Sequence, residues 1–558
     1  MSFLSAISSL AAELDLFVTD YNEDPTTEQK PMLEQPLVYA KPQAVTLRDA
    51  DGKTVTILSP LGVSIRTGPK GNLREAKLFA APGEYEPFSF LLRPKQTLDE
   101  VSVSAGDLKG PANEIIPAAN IRVASVEGFH GGARDILMPV GRPWSMSAYS
   151  TEFFWCTVKV PPKAPPGVYL GQVVVRAGTQ PVGSIQISLE VLPIDLAEPP
   201  LSLGFNYSKP DDDKDGKILA AHFADMREHG MTCVAPLYDF HLPVYDTDTG
   251  DFGAVLEAYK KAGFPGTFYW AAPMGLHVSE LAGYGDETNR RWQQKYIKVM
   301  RLMHEEAVKH GVPCVFSIGD ELTNKGTDGV KTAGRLARFV WEELPEIATT
   351  SDMNGYREVM AMAPFLNVAT FNNGWDGADH HNQGRRLLNK DFLQEVQAAG
   401  AIPWFVNAGS GRFPFGFFFW KMSKFGAKGK VEWYYNLRNE RGSLVRTQKD
   451  AIYPTLDYER CREGIDDLKY LCKLESLVAK AKPALPETAK ARALLDAIDQ
   501  GIAEDWSVYE GKRGLRFPDD GFAKLDPEKA ANFGRLNALR LEIANHIIAL
   551  QRALNPKD

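Results

Sequence analysis

The sequence lacks the basic excess of nucleic-acid-binding proteins and the paired cysteines of many metal-binding proteins. Its 558 residues carry 63 Lys and Arg against 71 Asp and Glu, a net charge of −8, so it lacks the basic excess that favours binding to nucleic acid. The five cysteines are scattered and include no pair at metal-ligand spacing. We therefore predict no nucleic-acid partner and no metal site, and we interpret the cysteines as small core residues.

Long apolar runs and cofactor motifs are also missing. The longest apolar run, Phe413 to Trp420, is broken by Pro414 and is far shorter than the ~20 residues that span a bilayer. The sequence contains no HExxH, no phosphate-binding loop, no glycine-rich dinucleotide turn after the first strand of an α/β region and no nucleophile elbow. We expect no membrane span and no cofactor.

The N-terminal segment MSFLSAISSLAAELDLF has Glu13 and Asp15 in its apolar stretch and no basic residue ahead of it. This pattern reads poorly as a signal peptide and predicts a short amphipathic helix, followed by a polar, proline-rich linker up to residue 44. The location of the protein stays open: it is periplasmic or secreted if a signal has been removed.

The length predicts several domains. From 45 to 197, short β-branched and aromatic runs recur between Gly, Pro and Asp residues, often with strict alternation. This pattern is typical of an antiparallel β-sandwich.

From 198 to 455, eight apolar runs alternate with helix-length segments, which is typical of parallel β/α units. The runs are residues 201–207, 231–239, 266–273, 313–321, 347–352, 367–373, 401–409 and 430–436. Their number and the length of the region predict a (β/α)₈ barrel, with a doubly wound sheet as the alternative.

Residues 456–558 predict amphipathic helices that complete and pack on the barrel. A homo-oligomer formed through these helices stays open. The charges at Arg462, Glu463, Asp466 and Asp467 are interpreted as those of a salt-bridged packing helix, without a catalytic role.

Most of the eight runs end in polar residues. Active sites of (β/α)₈ barrels lie at the C-terminal ends of the strands, although any single Asn or Asp there could instead cap a helix or make a turn. The adjacent carboxylates Asp320 and Glu321 form the strongest constellation, because one carboxylate raises the pKa of the other and so favours a general acid. Either one could also cap the following helix.

Aromatic side chains near the run ends offer flat surfaces on which sugars stack, although some of them must belong to the core. We therefore predict a carbohydrate site with Asp320 and Glu321 as catalytic residues. The predicted substrate-binding residues are Asn206, Tyr207, Asp239, Trp270, Asp352, Asn372, Asn373, Trp375, Asn407, Arg412, Trp420, Trp433 and Tyr434.

Several segments resemble glycoside hydrolase family 123 and its relatives of uncharacterised function, over about residues 150 to 475. They are PPGVYLGQVVV, the barrel start LGFNY, the GDE of the fourth run, FFFWK and the tail YERCREGIDDLKYLCKL. The sequence departs from the family pattern at Leu322, where a proline usually follows the acidic pair, and at Ile318-Gly319, where an aromatic residue commonly precedes it.

The resemblance implies a retaining β-N-acetylgalactosaminidase-like enzyme that uses substrate-assisted catalysis, in which the 2-acetamido oxygen of the sugar attacks its own anomeric carbon. Glu321 would protonate the leaving oxygen and then activate water, while Asp320 would orient the acetamide N–H. Tyr434, Asn407 and Asn373 are the candidates for binding the acetamide group.

Two alternatives remain. A conventional glycosidase for another sugar would use Glu321 as acid/base and Asp352, Asp376 or Glu432 as nucleophile. A non-catalytic carbohydrate-binding protein would keep the barrel without the reaction.

Overall fold

The computed structural model describes residues 14–19, 21, 37–39, 44–48, 54–58, 63–65, 74–128, 134–210, 213–237, 249–274, 285–374, 385–437, 443–448, 451–509 and 536–555. The chain forms two compact units. The first consists of Met1–Ala197, Lys469–Gly501 and Arg516–Asp558, and the second of Glu198–Leu468 and Ile502–Leu515. Within the described residues, no helix is long and apolar enough to cross a membrane.

Two packed sheets make up most of the first unit. Its strands are β1 (Leu14–Thr19), β2 (Leu37–Tyr39), β3 (Ala44–Arg48), β4 (Thr54–Leu58), β5 (Val63–Ile65), β6 (Glu75–Ala80), β7 (Tyr85–Pro94), β8 (Leu98–Ala105), β9 (Leu108–Lys109), β10 (Ile115–Ile116), β11 (Ile121–Gly128), β12 (Arg134–Pro139), β13 (Trp144–Met146), β14 (Glu152–Lys159), β15 (Gly167–Ala177) and β16 (Gln180–Val191). One sheet has the order β1-β7-β14-β11-β12; the other has the order β10-β9-β15-β16-β6, with β8 and β13 joined to it at β15. The pairs β2-β5 and β3-β4 form separate two-stranded sheets.

One hydrophobic core joins the two larger sheets. Phe90 and Phe154 of the first sheet lie in the same buried cluster as Val173 and Ile185 of the second, because alternate residues of each strand face inward. The predicted sandwich is confirmed, and its only parallel pair among these strands is β6 with β16.

The N-terminal segment differs from the predicted helix. Residues 14–19 form β1, which pairs antiparallel with β7 from Leu14 opposite Pro94 to Thr19 opposite Ser89. Leu14, Leu16 and Val18 enter the sandwich core. The two-residue period of LDLFVT matches an edge strand of a half-buried sheet, and this tertiary contact overrides the helical pattern. The rest of the predicted helix, residues 1–13, lies outside the described residues.

Helices connect the barrel strands, and three further helices follow the last strand in the sequence. They are α1 (Lys217–Glu228), α2 (Phe252–Ala262), α3 (Arg290–His310), α4 (Gly326–Glu343), α5 (Tyr356–Met362), α6 (Lys390–Ala398), α7 (Arg412–Phe415), α8 (Phe417–Ser423), α9 (Leu456–Lys480), α10 (Pro486–Gly501) and α11 (Leu536–Leu554). Short 3₁₀ turns occur at Pro111–Asn113, Ala118–Asn120, Leu322–Lys325, Ala363–Phe365 and Trp506–Val508.

The two C-terminal helices α10 and α11 pack on each other. They belong to the first unit, where Asn537 accepts a hydrogen bond from the Tyr21 hydroxyl at 2.7 Å and Arg540 lies 3.5 Å from Glu86 of β7. The sequence predicted that these helices pack on the barrel, whereas these contacts are with the sheet unit.

The second unit contains the predicted barrel. Its eight parallel strands are β17 (Ser202–Tyr207), β18 (Ala235–Pro236), β19 (Phe268–Trp270), β20 (Cys314–Asp320), β21 (Thr349–Met353), β22 (Val368–Phe371), β23 (Ile402–Val406) and β24 (Gly429–Asn436), and a hairpin of β25 (Val445–Gln448) and β26 (Ala451–Pro454) follows. The order is β18-β17-β24-β23-β22-β21-β20-β19. Backbone hydrogen bonds from Tyr269 to Val234 (3.3 Å) and from Gly266 to Thr232 (2.8 Å) join the two ends of this order. Each strand lies in its predicted run or extends one residue beyond it, so the (β/α)₈ architecture is confirmed.

Strand alternation determines which side chains face the inside of the barrel. Tyr269, Val315, Trp404 and Val431 share one buried cluster across four strands, which defines the inner face. Neighbouring residues such as Phe316, whose ring lies 5.9 Å from that of Phe252 on α2, face the helices instead. The polar residues at the strand ends can be assigned to one face or the other on this basis.

Candidate active site

A β-bulge at the end of β20 gives Asp320 its direction. Ser317 pairs with Thr350 of β21, but the next partners are Asp320 and Asp352, so three steps along β20 match two along β21. An extra residue in one strand reverses the alternation beyond it. Asp320 and Asp352 are therefore in register on the same face of the sheet.

The bulge is held by two serine hydroxyls. Ser317 and Ser351 both donate to the carbonyl oxygen of Gly319, each at 2.9 Å. A Cβ atom at Gly319 would lie 2.9 Å from the Ser351 hydroxyl, so a side chain there would disturb this arrangement. A strand carbonyl that leaves the regular ladder still needs a donor, and the serines supply it.

Glu321 adopts a left-handed backbone conformation with φ of 43°. Its N–H donates to the Asp352 carbonyl at 2.7 Å, and its own carbonyl accepts from the Asn324 N–H at 2.9 Å. A non-glycine residue in this region is strained and persists where surrounding bonds fix it. The strand therefore ends sharply at Glu321, directly after Asp320.

Carboxyl groups converge at this strand end. Asp320 is exposed, whereas Glu321 and Asp352 are partly buried. Although part of the Asp320 side chain reaches solvent, the surrounding protein partly desolvates its carboxyl group and so raises its pKa. Burial, and then the charge of Asp320, raise the pKa of Glu321, against an opposing hydrogen bond from Asn324. A raised carboxyl pKa suits a general acid.

Asp352 is the most strongly perturbed of the three. Its Oδ1 accepts a hydrogen bond from the Tyr269 hydroxyl at 2.6 Å. Burial, followed by the charge of Asp320, raises its pKa well above the usual value, with further contributions from Glu321 and Glu358. Asp352 is thus favoured as a neutral carboxylic acid.

Three amide side chains at other strand ends have atoms without a hydrogen-bond partner among the described residues: Asn206 Oδ1, Asn372 Nδ2 and Asn407 Oδ1. Asn206 and Asn372 are 2% and 3% exposed. Alternation places Asn206 and Asn372 on the inner face, because Phe205 packs against Phe415 and Phe371 against Phe392. Unpaired buried polar groups are costly and often mark a functional site.

An exposed tryptophan lies at the end of the last strand. Trp433 lies in β24 between Glu432, which pairs with Phe205, and Asn436, which pairs with Tyr207, so the regular alternation is interrupted here. Its side chain is 39% exposed. The ring of Tyr434 stands edge-on to it at 5.1 Å and is mostly buried. Trp433 therefore offers an accessible aromatic surface near the C-terminal end of β24.

Five predicted substrate-binding residues have packing contacts instead. The Tyr207 hydroxyl bonds to His222 of α1 at 3.2 Å. Trp270 is fully buried 5.0 Å from Phe252 of α2, and Trp420 is fully buried in α8. Asn373 Oδ1 accepts the backbone N–H groups of Leu387 and Leu388. The structure does not bring these four to the inner face beside Asp352.

Arg412 is the fifth. Its guanidinium makes two hydrogen bonds to Asp467 of α9, at 2.6 and 2.8 Å, and both side chains are buried. A Cβ at Gly464 would lie 2.2 Å from the Arg412 carbonyl oxygen, so α7 and α9 pack closely here. Arg412 is predicted to bind substrate, whereas in the structure its guanidinium is held by Asp467. The prediction of a salt-bridged packing helix agrees with this pair and with that of Arg462 and Glu459.

Asp239 and Trp375, also predicted to bind substrate, lie outside the described residues, as does Asp376. Within the described ranges, no group of three His, Cys, Asp or Glu side chains is arranged to hold a metal ion.

The sequence did not point to four residues beside the acidic pair. Tyr269, Asn324, Asn354 and Glu358 form hydrogen bonds around Asp352 and Glu321. Only Asn324 had a usable signal, three residues after Glu321, since side chains at that spacing meet in a helical turn. Tyr269 comes from β19, Asn354 from the loop after β21 and Glu358 from α5.

Comparison with solved structures identifies the fold. A family 123 glycoside hydrolase from Clostridium perfringens, studied for glycolipid glycan hydrolysis, aligns with 87% of this chain and 96% of its own, at a TM-score of 0.59 and 15% identity. The chain has the fold of a family 123 glycoside hydrolase.

Other similarities are weaker. A family 39 glycoside hydrolase from Bacteroides cellulosilyticus WH2 aligns with 66% of this chain and 81% of its own, at a TM-score of 0.37 and 10% identity. No protein-family model and no curated protein matches the sequence. The similarity to the Clostridium perfringens enzyme establishes the fold of this chain.

Proposed function

We propose that this protein is a retaining glycoside hydrolase that removes a β-linked 2-acetamido sugar by substrate-assisted catalysis. The observation that carries the proposal is the arrangement at the end of β20, where the bulge brings Asp320 in register with Asp352 and the turn places Glu321 directly after it. The carboxyl groups of Asp320 and Glu321 can then both act on the same sugar residue.

In the first step the Glu321 carboxylic acid gives its proton to the glycosidic oxygen as the bond to the anomeric carbon breaks. The acetamide oxygen attacks that carbon, and an oxazolinium ion forms. Asp320 accepts a hydrogen bond from the acetamide N–H and stabilises the positive charge. In the second step the Glu321 carboxylate takes a proton from water, which opens the ring with overall retention.

The conventional two-carboxylate mechanism is less well supported by the described residues. Asp352 is favoured in its neutral form, and a neutral acid is a poor nucleophile. Glu432 is ion-paired with Lys430 at 2.7 Å and accepts the Ala408 N–H at 2.9 Å. It neighbours Val431 of the inner face, so alternation directs Glu432 outward.

The test compares glycosides with and without the 2-acetamido group. We expect turnover of an aryl β-N-acetylhexosaminide, inhibition by a thiazoline mimic of the intermediate, and loss of turnover by about 10²–10⁴-fold or more in Glu321→Gln. The loss should be larger for an alkyl than for a 4-nitrophenyl aglycone, since a poor leaving group needs the proton more.

The control is Glu257→Gln, an exposed glutamate on α2, which should keep full activity. Equal turnover of the matched 2-hydroxy glycoside would refute the substrate-assisted mechanism, and glycan binding without hydrolysis would refute the enzyme.

A further inference from the structure

The turn after Glu321 carries a second hydrogen bond to the same residue. Besides its backbone bond, Asn324 donates from Nδ2 to Glu321 Oε2 at 3.0 Å. Asn324 is exposed, so this amide donor lies beside the accessible part of Glu321. A donor at that oxygen stabilises the carboxylate form relative to the acid.

Asn354 fixes which end of the Asn324 amide faces Glu321. The Asn354 side chain donates from Nδ2 to Asn324 Oδ1 at 3.0 Å. With its oxygen occupied, Asn324 presents its nitrogen to the carboxylate and not its oxygen, which would repel it. Asn354 is fully buried, so it has little freedom to release this bond.

A buried carboxyl group holds Asn354 and Thr323, the residue that precedes Asn324. Glu358 of α5 accepts the Thr323 hydroxyl at 2.6 Å and the Asn354 N–H at 3.3 Å, both at Oε2. Gly355 permits this approach, because a Cβ there would lie 2.7 Å from the Thr323 hydroxyl. The turn is therefore tied to the helix after the neighbouring strand.

Glu321 has to change protonation state twice in each cycle of the proposed reaction. Asp320 opposes its ionised form, and so does Asp352 if it ionises, with Glu358 and the Tyr269 hydroxyl also acting on Asp352. Asn324 is the neutral donor that acts in the opposite direction.

We propose that Asn324, oriented by Asn354, is a positioning residue that stabilises and aims the Glu321 carboxylate formed when the glycosidic oxygen takes its proton. This inference rests on the proposed function, because it assigns the pair to the acid and base steps of Glu321.

The experiment measures kcat/KM against pH with an aryl β-N-acetylhexosaminide. Loss of the donor in Asn324→Ala should move the alkaline limb, which reports the protonated acid, to higher pH by about half a unit, the scale of one charge-assisted bond at a partly exposed group. Asn324→Asp, which adds a negative charge, should move it further. Asn354→Leu should move it in the same direction but less.

Thr327→Ala is the matched control, since Thr327 is exposed in the same segment and three residues from Asn324; its limb should stay in place. A purely structural role would lower kcat in the Asn324 variants equally at all pH values, and an unmoved alkaline limb would overturn the proposal.

A second measurement is independent of turnover. Carbon-13 labelling of glutamate carboxyl groups, with the Glu321 signal identified by its absence in Glu321→Gln, gives the titration midpoint of this residue directly. We expect a higher midpoint in Asn324→Ala than in the native chain, and equal midpoints would refute the hydrogen bond. A higher midpoint in an enzyme that cleaves no 2-acetamido glycoside would instead refute the proposed function and retain the Asn324 pair.

Discussion

Replacing Asp352 by asparagine separates the two mechanisms. The Asn side chain keeps an oxygen to accept the Tyr269 hydroxyl, now bound at 2.6 Å, and puts a donor where the second carboxyl oxygen stood. If Asp352 works as a neutral acid, the change costs about 1 kcal/mol, the net value of one hydrogen bond, or about fivefold in kcat/KM. If Asp352 is the nucleophile, the loss is on the order of 10³-fold or more.

Asp352→Ala serves as the companion variant. It removes the acceptor of the buried Tyr269 hydroxyl, so we expect a loss of about 1–3 kcal/mol in the free energy of unfolding. Tyr269→Phe removes the same bond from the other side and should give a smaller loss, because Asp352 is partly accessible to water.

The assay is steady-state kinetics on an aryl β-N-acetylhexosaminide, with thermal unfolding to check that each variant is folded. A folded Asp352→Asn enzyme with at least a tenth of the native kcat/KM would support the neutral acid. A loss of 10³-fold in that variant, with azide restoring activity to Asp352→Ala as a glycosyl azide product, would refute it and assign the nucleophile to Asp352.

Two further predictions concern Trp433 and Glu358. Trp433→Ala should raise KM several-fold with little change in kcat, because it removes an exposed ring at the C-terminal end of a barrel strand, while Trp341→Ala, which removes a ring 53% exposed on α4, should change neither. Burial raises the pKa of Glu358 from the usual 4.5 to about 7; the folded state therefore binds the proton more tightly, and stability falls as pH rises between these values. Denaturant unfolding of Glu358→Gln should show a gain over the native chain that grows by about 3 kcal/mol from pH 4.5 to pH 8; a constant difference would contradict this.

The sequence predicts the barrel well because the pattern of its strands is local. Each apolar run ends within three residues of the end of a parallel strand, and Gly or Asn residues mark many of the helix boundaries, so the eight units follow from spacing alone. The N-terminal residues 14–19 show the limit, since their strand exists only through pairing with β7, which is far away in sequence.

Side-chain direction is harder to predict than strand position. Trp270 and Trp433 both occur late in an apolar run, yet Trp270 packs against Phe252 of α2 and Trp433 is exposed. Trp270 lies in a regularly paired stretch of β19, whereas the pairing of β24 shifts register across Trp433, so a local irregularity changes the direction of a side chain. The register of a run relative to its neighbours is a property of the sheet and cannot be read from composition.

The directions of the Asp320 and Glu321 side chains are also difficult to predict from the sequence. On a regular strand Asp320 and Glu321 would point to opposite faces, and only one could reach a substrate inside the barrel. The structure departs from a regular strand at two points: a bulge precedes Asp320, and Glu321 adopts a left-handed backbone conformation. Gly319 allows the first, since its missing Cβ leaves room for the Ser351 hydroxyl, and the Asp352 carbonyl and Asn324 N–H fix the second. Ile318 and Gly319, where the sequence departs from the family pattern, are thus the residues that form the bulge. Gly319→Ala should therefore lower kcat/KM more than the free energy of unfolding, because it changes the direction of Asp320 and leaves the core intact.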